Sequence, residues 1–440
     1  MNGHPPRMSR RSFLRATVRL GAVAAVGELA SACGLVGPAR GQGSAGLTIL
    51  GNTGHPGTAP SFVPELQALV AAYPSTGGQP APAIQLAEPS LVAVLANSLR
   101  DATPPGFDLA VVTPAVRNLP QMPRLFRDMS ADLSKAVAGL SPALVSYAQV
   151  GARLCFCPLV RDPLVLFYNA DILERAGINT PLEQITFNEF LVICQQLGAM
   201  RSARTLQAAP LANATNTYDA ELCAAFVVGF GGKLISPDGQ SCAFDGPNGL
   251  EGLSALISLH AFESPVGSRT PLELFSSGQA VMAFGHFADV AALTAGIGNL
   301  FAWSATSIPV FPSRAATPVR STGIGLTSWS KQAAQAVSFD LWSLSGLGQT
   351  AIARAGAIPA LSAVATTSWR PPLSTLSDTV FVDRQGDDIA VPWVFEQLPQ
   401  PAQALAAAVR GTPVATAFEA AAAQGDRVLA TLNAALGTAS

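Results

Sequence analysis

From Leu47 onward the apolar residues change period repeatedly, and that alternation constrains the fold more than any other feature of this 440-residue chain. Leu47-Thr48-Ile49-Leu50 reads as a strand, after which Phe62, Leu66, Leu69, Val70 and Tyr73 fall on one helical face. A strand from Ile84 to Glu88, a helix from Ser90 to Leu99 and a buried strand from Phe107 to Val112, ending at Thr113, follow. Strands spaced by helices predict an α/β fold with largely parallel sheet covered by helices. The pattern resumes with a strand at Leu164–Asn169, a helix at Ala170–Arg175 stopped at Gly177, and a helix opened by Thr186-Phe187-Asn188-Glu189. In that tetrad Thr186 and Glu189 each satisfy an orphan backbone donor, the capping-box arrangement. Further on, Gly231–Ile235 reads as a strand running into the turn Ser236-Pro237-Asp238-Gly239, and Ala280–Gly285 as another strand. Helices are expected over Leu250–His260, Leu272–Ser277, Gln332–Leu344, Ala402–Val409 and Val414–Leu436. Roughly 400 residues exceed what one core serves, so two domains are expected.

The first 33 residues stand outside this pattern. Ser9-Arg10-Arg11-Ser12-Phe13-Leu14 precedes a weakly apolar run ending in Ala30-Ser31-Ala32-Cys33. A twin-arginine pair ahead of a short apolar region reads as an export address, to be set aside before fold reasoning. The run is too short to span a membrane. Small residues leading into Cys33 predict lipid attachment there, the other reading being cleavage near Ala32 to a free secreted protein. Gly34 to Gly46 then suits a flexible tether.

Removing that segment takes away Arg7, Arg10, Arg11, Arg15 and Arg19 against Glu28 alone, leaving an acidic body. Nucleic acid, which demands basic patches, is therefore not an expected partner. Beyond Cys33 no apolar run reaches the roughly 18 residues of a spanning helix. Cys155 and Cys157 would point to opposite strand faces, and no cysteine or histidine spacing resembles a zinc site, so buried structural thiols and no metal or cofactor are expected.

Four segments carry a resemblance. Phe167-Tyr168-Asn169-Ala170-Asp171-Ile172-Leu173-Glu174-Arg175-Ala176-Gly177-Ile178 with Pro181 and Thr186–Phe190 is one. Asp238-Gly239 with Phe244-Asp245-Gly246-Pro247 is the second, and Phe275-Ser276-Ser277-Gly278-Gln279-Ala280-Val281-Met282 with Gly285-His286-Phe287 the third. The fourth joins Gly323–Leu326, the helix through Phe339 and Gln349, and Gly356-Ala357-Ile358-Pro359-Ala360. In this order they resemble the family 1 extracellular solute-binding proteins of ABC importers, the group that includes maltose- and glycerol-phosphate-binding proteins.

The resemblance implies a two-lobe, type II periplasmic-binding-protein-like fold whose hinge has several crossings, placed near Pro163, Ser321 and Ala360. Lobe 1 would hold residues 47–163 and 321–360, lobe 2 residues 164–320 and 361–440, after a signal over 1–32 and a tether over 33–46. A protein of this kind is not an enzyme; it takes a sugar, polyol or glycerophospho-compound to the transmembrane subunits of an ABC permease. It works at the extracytoplasmic face of the cell membrane or in the periplasm.

Ligand-binding positions implied or read from strand ends are Glu88, Thr113, Asp162, Tyr218, His286, Phe287, Ser321, Gly323 and Trp393. Phe287 and Trp393 are either aromatic platforms for a sugar ring or core residues. Asp162 is either a hydroxyl acceptor or an exposed hinge residue, and Arg161 and Arg320 flank hinges where a phosphorylated solute would use them. The family's usual tryptophan is replaced by Phe287, which argues against a long oligosaccharide. The rival functions are a secreted glycosidase-like hydrolase and a surface lipoprotein with no transport role. The hydrolase finds no Gly-x-Ser-x-Gly elbow and no His-Glu-x-x-His, and only His55, His260 and His286 remain beyond the signal.

Overall fold

The computed structural model describes residues 46–52, 62–74, 81–87, 90–100, 105–178, 182–212, 219–263, 269–370, 381–382 and 384–437. Its strands in chain order are β1 (Thr48–Gly51), β2 (Ala83–Leu86), β3 (Leu109–Val112), β4 (Gln149–Val150), β5 (Arg153–Leu154), β6 (Cys157–Pro158) and β7 (Asp162–Asn169). Then come β8 (Ala209–Leu211), β9 (Ala280–His286), β10 (Trp303–Ser307), β11 (Thr317–Arg320), β12 (Gly323–Leu326) and β13 (Asp388–Ile389).

Two separate sheets make two α/β lobes. The first has the order β2-β1-β3-β12-β6, the second β13-β11-β7-β9-β8 with β10 also on β7. The first three strands are parallel, as the β-α-β alternation predicted, with Ile49 opposite both Ile84 and Leu109. Elsewhere parallel pairing is confined to β8 with β9 and β11 with β13, so the expectation of largely parallel sheet fails overall. β12 runs antiparallel to β3 and β6, and β7 antiparallel to β9, β10 and β11. The physical reason lies in the connections: a strand that enters a sheet from the other lobe arrives at its far end and need not follow a crossover helix.

Each lobe has its own core. Ile49, Leu66, Leu95, Val111, Leu133, Leu144, Phe156 and Phe339 pack in the first. The second sheet is covered on both faces, by Phe187, Phe190, Phe226, Phe311, Leu405 and Phe418 on one and by Phe275, Trp303, Trp369 and Phe381 on the other. Caps start the helices where the sequence places them. Thr186 Oγ1 accepts from the Glu189 backbone N–H while Glu189 accepts from Thr186, opening the helix Phe187–Ser202. The turn at Ser236–Gly239 forms, with Gly239 at φ +72°, but the strand expected over Gly231–Ile235 does not. Only an isolated bridge joins Ile235 to Cys242, since two consecutive glycines bring no side chains to hold a pleated edge.

Three stretches of chain pass between the lobes side by side. Leu159 and Val160 donate to the Thr322 carbonyl at 3.1 and 3.2 Å, Arg161 N donates to Ile358 O at 2.8 Å, and Ala360 N to Leu159 O at 3.0 Å. Cys155, Cys157, Cys194, Cys223 and Cys242 are free and buried, while Cys33 lies outside the described residues.

Candidate functional site

Strand register places three polar side chains at one end of the second sheet. Arg320 is the antiparallel partner of Asp162, and His286 the partner of Leu164, so all three share one face by the two-residue period. This end of the sheet lies where β7 and β11 meet the crossings. The helix Ala220–Gly229 adds a fourth group from its first turn. Its N-cap Asp219 accepts from the backbone N–H groups of Glu221 and Leu222 at 2.9 and 3.0 Å, which aims Glu221 at Arg320. The Arg320 guanidinium donates through Nε and Nη2 to both Glu221 oxygens.

Burial would favour the neutral form of the Glu221 carboxyl, but Arg320 overrides it and holds the group well below the usual carboxylate range. Burial has the opposite outcome at groups without such a partner. It pushes Asp162 up to about 7 against the Ala288 N–H that donates to Oδ1 at 2.8 Å, and pushes Asp219 up to about 7 beside Glu221. His286 is driven down to about 3, first by burial and then by Arg320, so it is a neutral imidazole. Its Nδ1 lies 3.3 Å from the Asp162 carbonyl oxygen, and its backbone N–H donates to Asp289 Oδ2 at 2.8 Å. Nε2 sits 4.0 Å from Glu221 Oε2 and has no hydrogen-bond partner among the described residues. The arrangement offers acceptors at Asp162 and His286 beside a neutralised guanidinium. Among the described residues no group of three His, Cys, Asp or Glu side chains forms a metal centre.

The sequence-derived positions separate into three sets. Asp162 and His286 come together, and Asp162 is buried rather than an exposed hinge residue. Thr113, Ser321 and Gly323 act on the backbone. Thr113 Oγ1 caps the turn Pro114–Arg117 by accepting from Val116 N at 3.3 Å, and Ser321 Oγ donates to Val160 O at 2.7 Å across the crossings. A Cβ on Gly323 would overlap the Cys157 carbonyl oxygen, so this glycine serves the close approach of β12 to β6. Phe287 and Trp393 are core rings, which corrects the platform expectation. Phe287 packs edge-on against Trp369 and Phe381 at 5.4 and 5.1 Å, and Trp393 lies in the first core with its indole donating to Arg117 O at 2.9 Å. Glu88 and Tyr218 lie outside the described residues.

Neither hinge arginine is free for a phosphate, since Arg161 is committed to Asp388 and the Phe381 carbonyl as Arg320 is to Glu221. Asp219 and Glu221 are not among the sequence-derived positions; their one signal is an Asp-x-Glu opening of an apolar helix, directly after Tyr218.

Comparison with known proteins settles the kind of molecule. The sequence profile of the bacterial extracellular solute-binding proteins matches residues 68–373. The chain belongs to that family. A Deinococcus radiodurans protein described as a probable ABC transporter-binding protein is 26% identical over 156 residues, and the match spans about a third of each chain, 34% of this one and 36% of that one. Solved structures of the two-lobe type superpose on nearly the whole body. An ABC transporter solute-binding protein from Thermotoga lettingae bound with α-D-tagatose matches with TM-score 0.66 at 18% identity, covering 88% of this chain and 100% of that one. The cyclic α-maltosyl-1,6-maltose-binding protein of Arthrobacter globiformis gives 0.68 at 18% identity, and Mycobacterium tuberculosis UgpB in complex with glycerophosphocholine gives 0.67 at 16%, each covering 88% of this chain and 99% of the other. This family member therefore shares its fold with these binding proteins. No helix among its described residues is long and apolar enough to cross a membrane.

Proposed function

We propose that the protein is the extracytoplasmic solute-binding component of an ABC importer, closing two hinged lobes around a small polar solute and delivering it unchanged to the permease. The solute is a sugar, a polyol or a glycerophospho-compound; the similar structures include one bound with a sugar and one in complex with glycerophosphocholine. The observation that carries this reading is the polar group Asp162, His286, Arg320 and Glu221, built at the end of β7 and β11 where the chain passes from one lobe to the other. In two-lobe proteins a ligand that touches both halves favours the closed form by its differential affinity. Residues 47–163 with 321–360 form one lobe and 164–320 with 361–440 the other. The twin-arginine segment exports the chain, and lipid on Cys33 holds it at the membrane's outer face.

Thermal unfolding against a panel of sugars, polyols and glycerophosphodiesters tests the central claim. A ligand at 100 times its Kd stabilises by about 2.7 kcal/mol. One solute class should raise Tm, while silence across the panel together with turnover of chromogenic glycosides would replace the binder by a hydrolase. Mass spectrometry of the N-terminus from exported protein tests the anchor, since a diacylated Cys33 is expected and an unmodified terminus rejects it.

A further inference from the structure

Residues 388–397 leave the second lobe, touch the first and return. β13 pairs with β11 of the second sheet, and Asp388 takes the Arg161 guanidinium. Ile389, Val391 and Phe395 then pack in the second lobe's core, with Phe395 edge-on to Phe244 at 5.9 Å. Between them Trp393 turns the other way and is buried in the first lobe's core. The helix Gln400–Val409 resumes packing on the second lobe.

The polar contacts of this excursion converge on one turn of the first lobe. Arg117 ends the short helix after β3; its side chain is fully buried over the Tyr147 ring at 3.9 Å, and Nε donates to Tyr147 O at 2.7 Å. Its remaining donors leave the lobe, Nη2 to Val391 O at 2.9 Å and Nη1 to the Glu396 carboxylate. The return contacts are Trp393 Nε1 to Arg117 O at 2.9 Å and Gln397 Nε2 to Asn118 O at 3.3 Å. Four hydrogen bonds, one of them an ion pair with both side chains at most 4% exposed, thus join the lobes without a covalent crossing.

We propose that residues 391–397 are a clasp whose docking on the Arg117–Asn118 turn sets the angle between the lobes. A contact made at one angle and not at another biases the open–closed equilibrium by its full differential energy, and a buried ion pair is an all-or-none contact. The guanidinium is held to its own lobe by Tyr147, so it cannot follow Glu396 through a large rotation. The lobes must pivot about the clasp or release it. That solute affinity responds to the clasp rests on the proposed function; the interlobe angle does not.

The test uses the full chain without solute. Donor and acceptor dyes are placed through an unnatural amino acid at positions 300 and 347, where Leu300 of the second lobe and Leu347 of the first are 71% and 75% exposed. Single-molecule transfer efficiencies are compared for wild type, Glu396→Gln with Gln397→Ala, and Trp393→Phe, the last keeping an aromatic ring in the first core while losing the indole donor together with the five-membered half of the bicycle. Loss of a charge-assisted hydrogen bond predicts a change of about tenfold in the ratio of interlobe populations, or an equivalent broadening of the distance distribution. Distributions that superimpose on wild type in variants with unchanged circular dichroism overturn the clasp. If the double variant does not fold, Trp393→Phe alone decides by the same criterion. Once a solute is known, its Kd shifts by the same factor as the competent population. A panel with no binder removes the functional reading and leaves the angle measurement standing.

Discussion

Replacing Asp340 by asparagine is expected to stabilise the protein, and increasingly so as pH rises. Asp340 lies on the inner face of the helix Ala333–Ser343 with no exposed surface, and neither carboxyl oxygen has a hydrogen-bond partner among the described residues. Burial holds its carboxyl well above the usual carboxylate range, so the folded protein keeps the proton that the unfolded chain releases. The sign follows from linkage. Above about pH 4 the folded state binds one more proton than the unfolded state, so stability is fully present below the unfolded pKa and lost as pH climbs toward the folded one. The loss is about 1.4 kcal/mol per pH unit across that window. Asparagine keeps the shape and cannot titrate, so the difference between variant and wild type grows at that slope. Urea unfolding of both proteins at half-unit steps from pH 4.5 upward measures it, because every other titrating group cancels in the difference. Asp340→Leu also removes the unsatisfied oxygens and is expected to add about 1–3 kcal/mol at every pH. Parallel pH curves for wild type and Asp340→Asn, or a less stable variant at neutral pH, would refute the argument.

Other consequences can be measured separately. Gly323→Ala forces a methyl onto the Cys157 carbonyl and is expected to cost about 3 kcal/mol or prevent accumulation of folded protein, read from Tm. Arg320→Met leaves the Glu221 carboxylate buried and unpaired, a loss of about 3–5 kcal/mol that the Arg320→Met/Glu221→Met double variant recovers in large part, measured by denaturant midpoint. His286, held down to about 3, stays neutral from pH 5 to 8, so its imidazole NMR signals are flat across that range. Its depressed pKa contributes stability that is present above about pH 6.5 and lost as pH falls toward 3. A midpoint near pH 6.5 in those signals would contradict the buried geometry.

The local signals in the chain were strong where physics is local. Apolar period, the Thr186–Glu189 capping box and the turn at Gly239 depend on neighbours within a few residues, and each forms where the residues place it. The order of the resembling segments sufficed for the family and the two-lobe fold. Strand direction was less legible, because whether β12 lies parallel or antiparallel depends on which lobe the chain comes from, and period alone is blind to that.

The candidate site shows the same division more sharply. Phe287 and Trp393 carry the chemistry of a sugar platform in sequence, yet a ring stacks on a ligand only if the core has not taken it, and Trp369, Phe381 and Arg117 have. Arg161 and Arg320 are cations in the sequence, but their partners Asp388 and Glu221 stand 227 and 99 residues away, and only folding brings the charges together. The residues therefore specified elements and family through short-range propensity and pattern. Which polar atoms remain available to a solute was decided by long-range pairing, since burial makes an unpartnered charge costly and the tertiary structure chooses who is partnered.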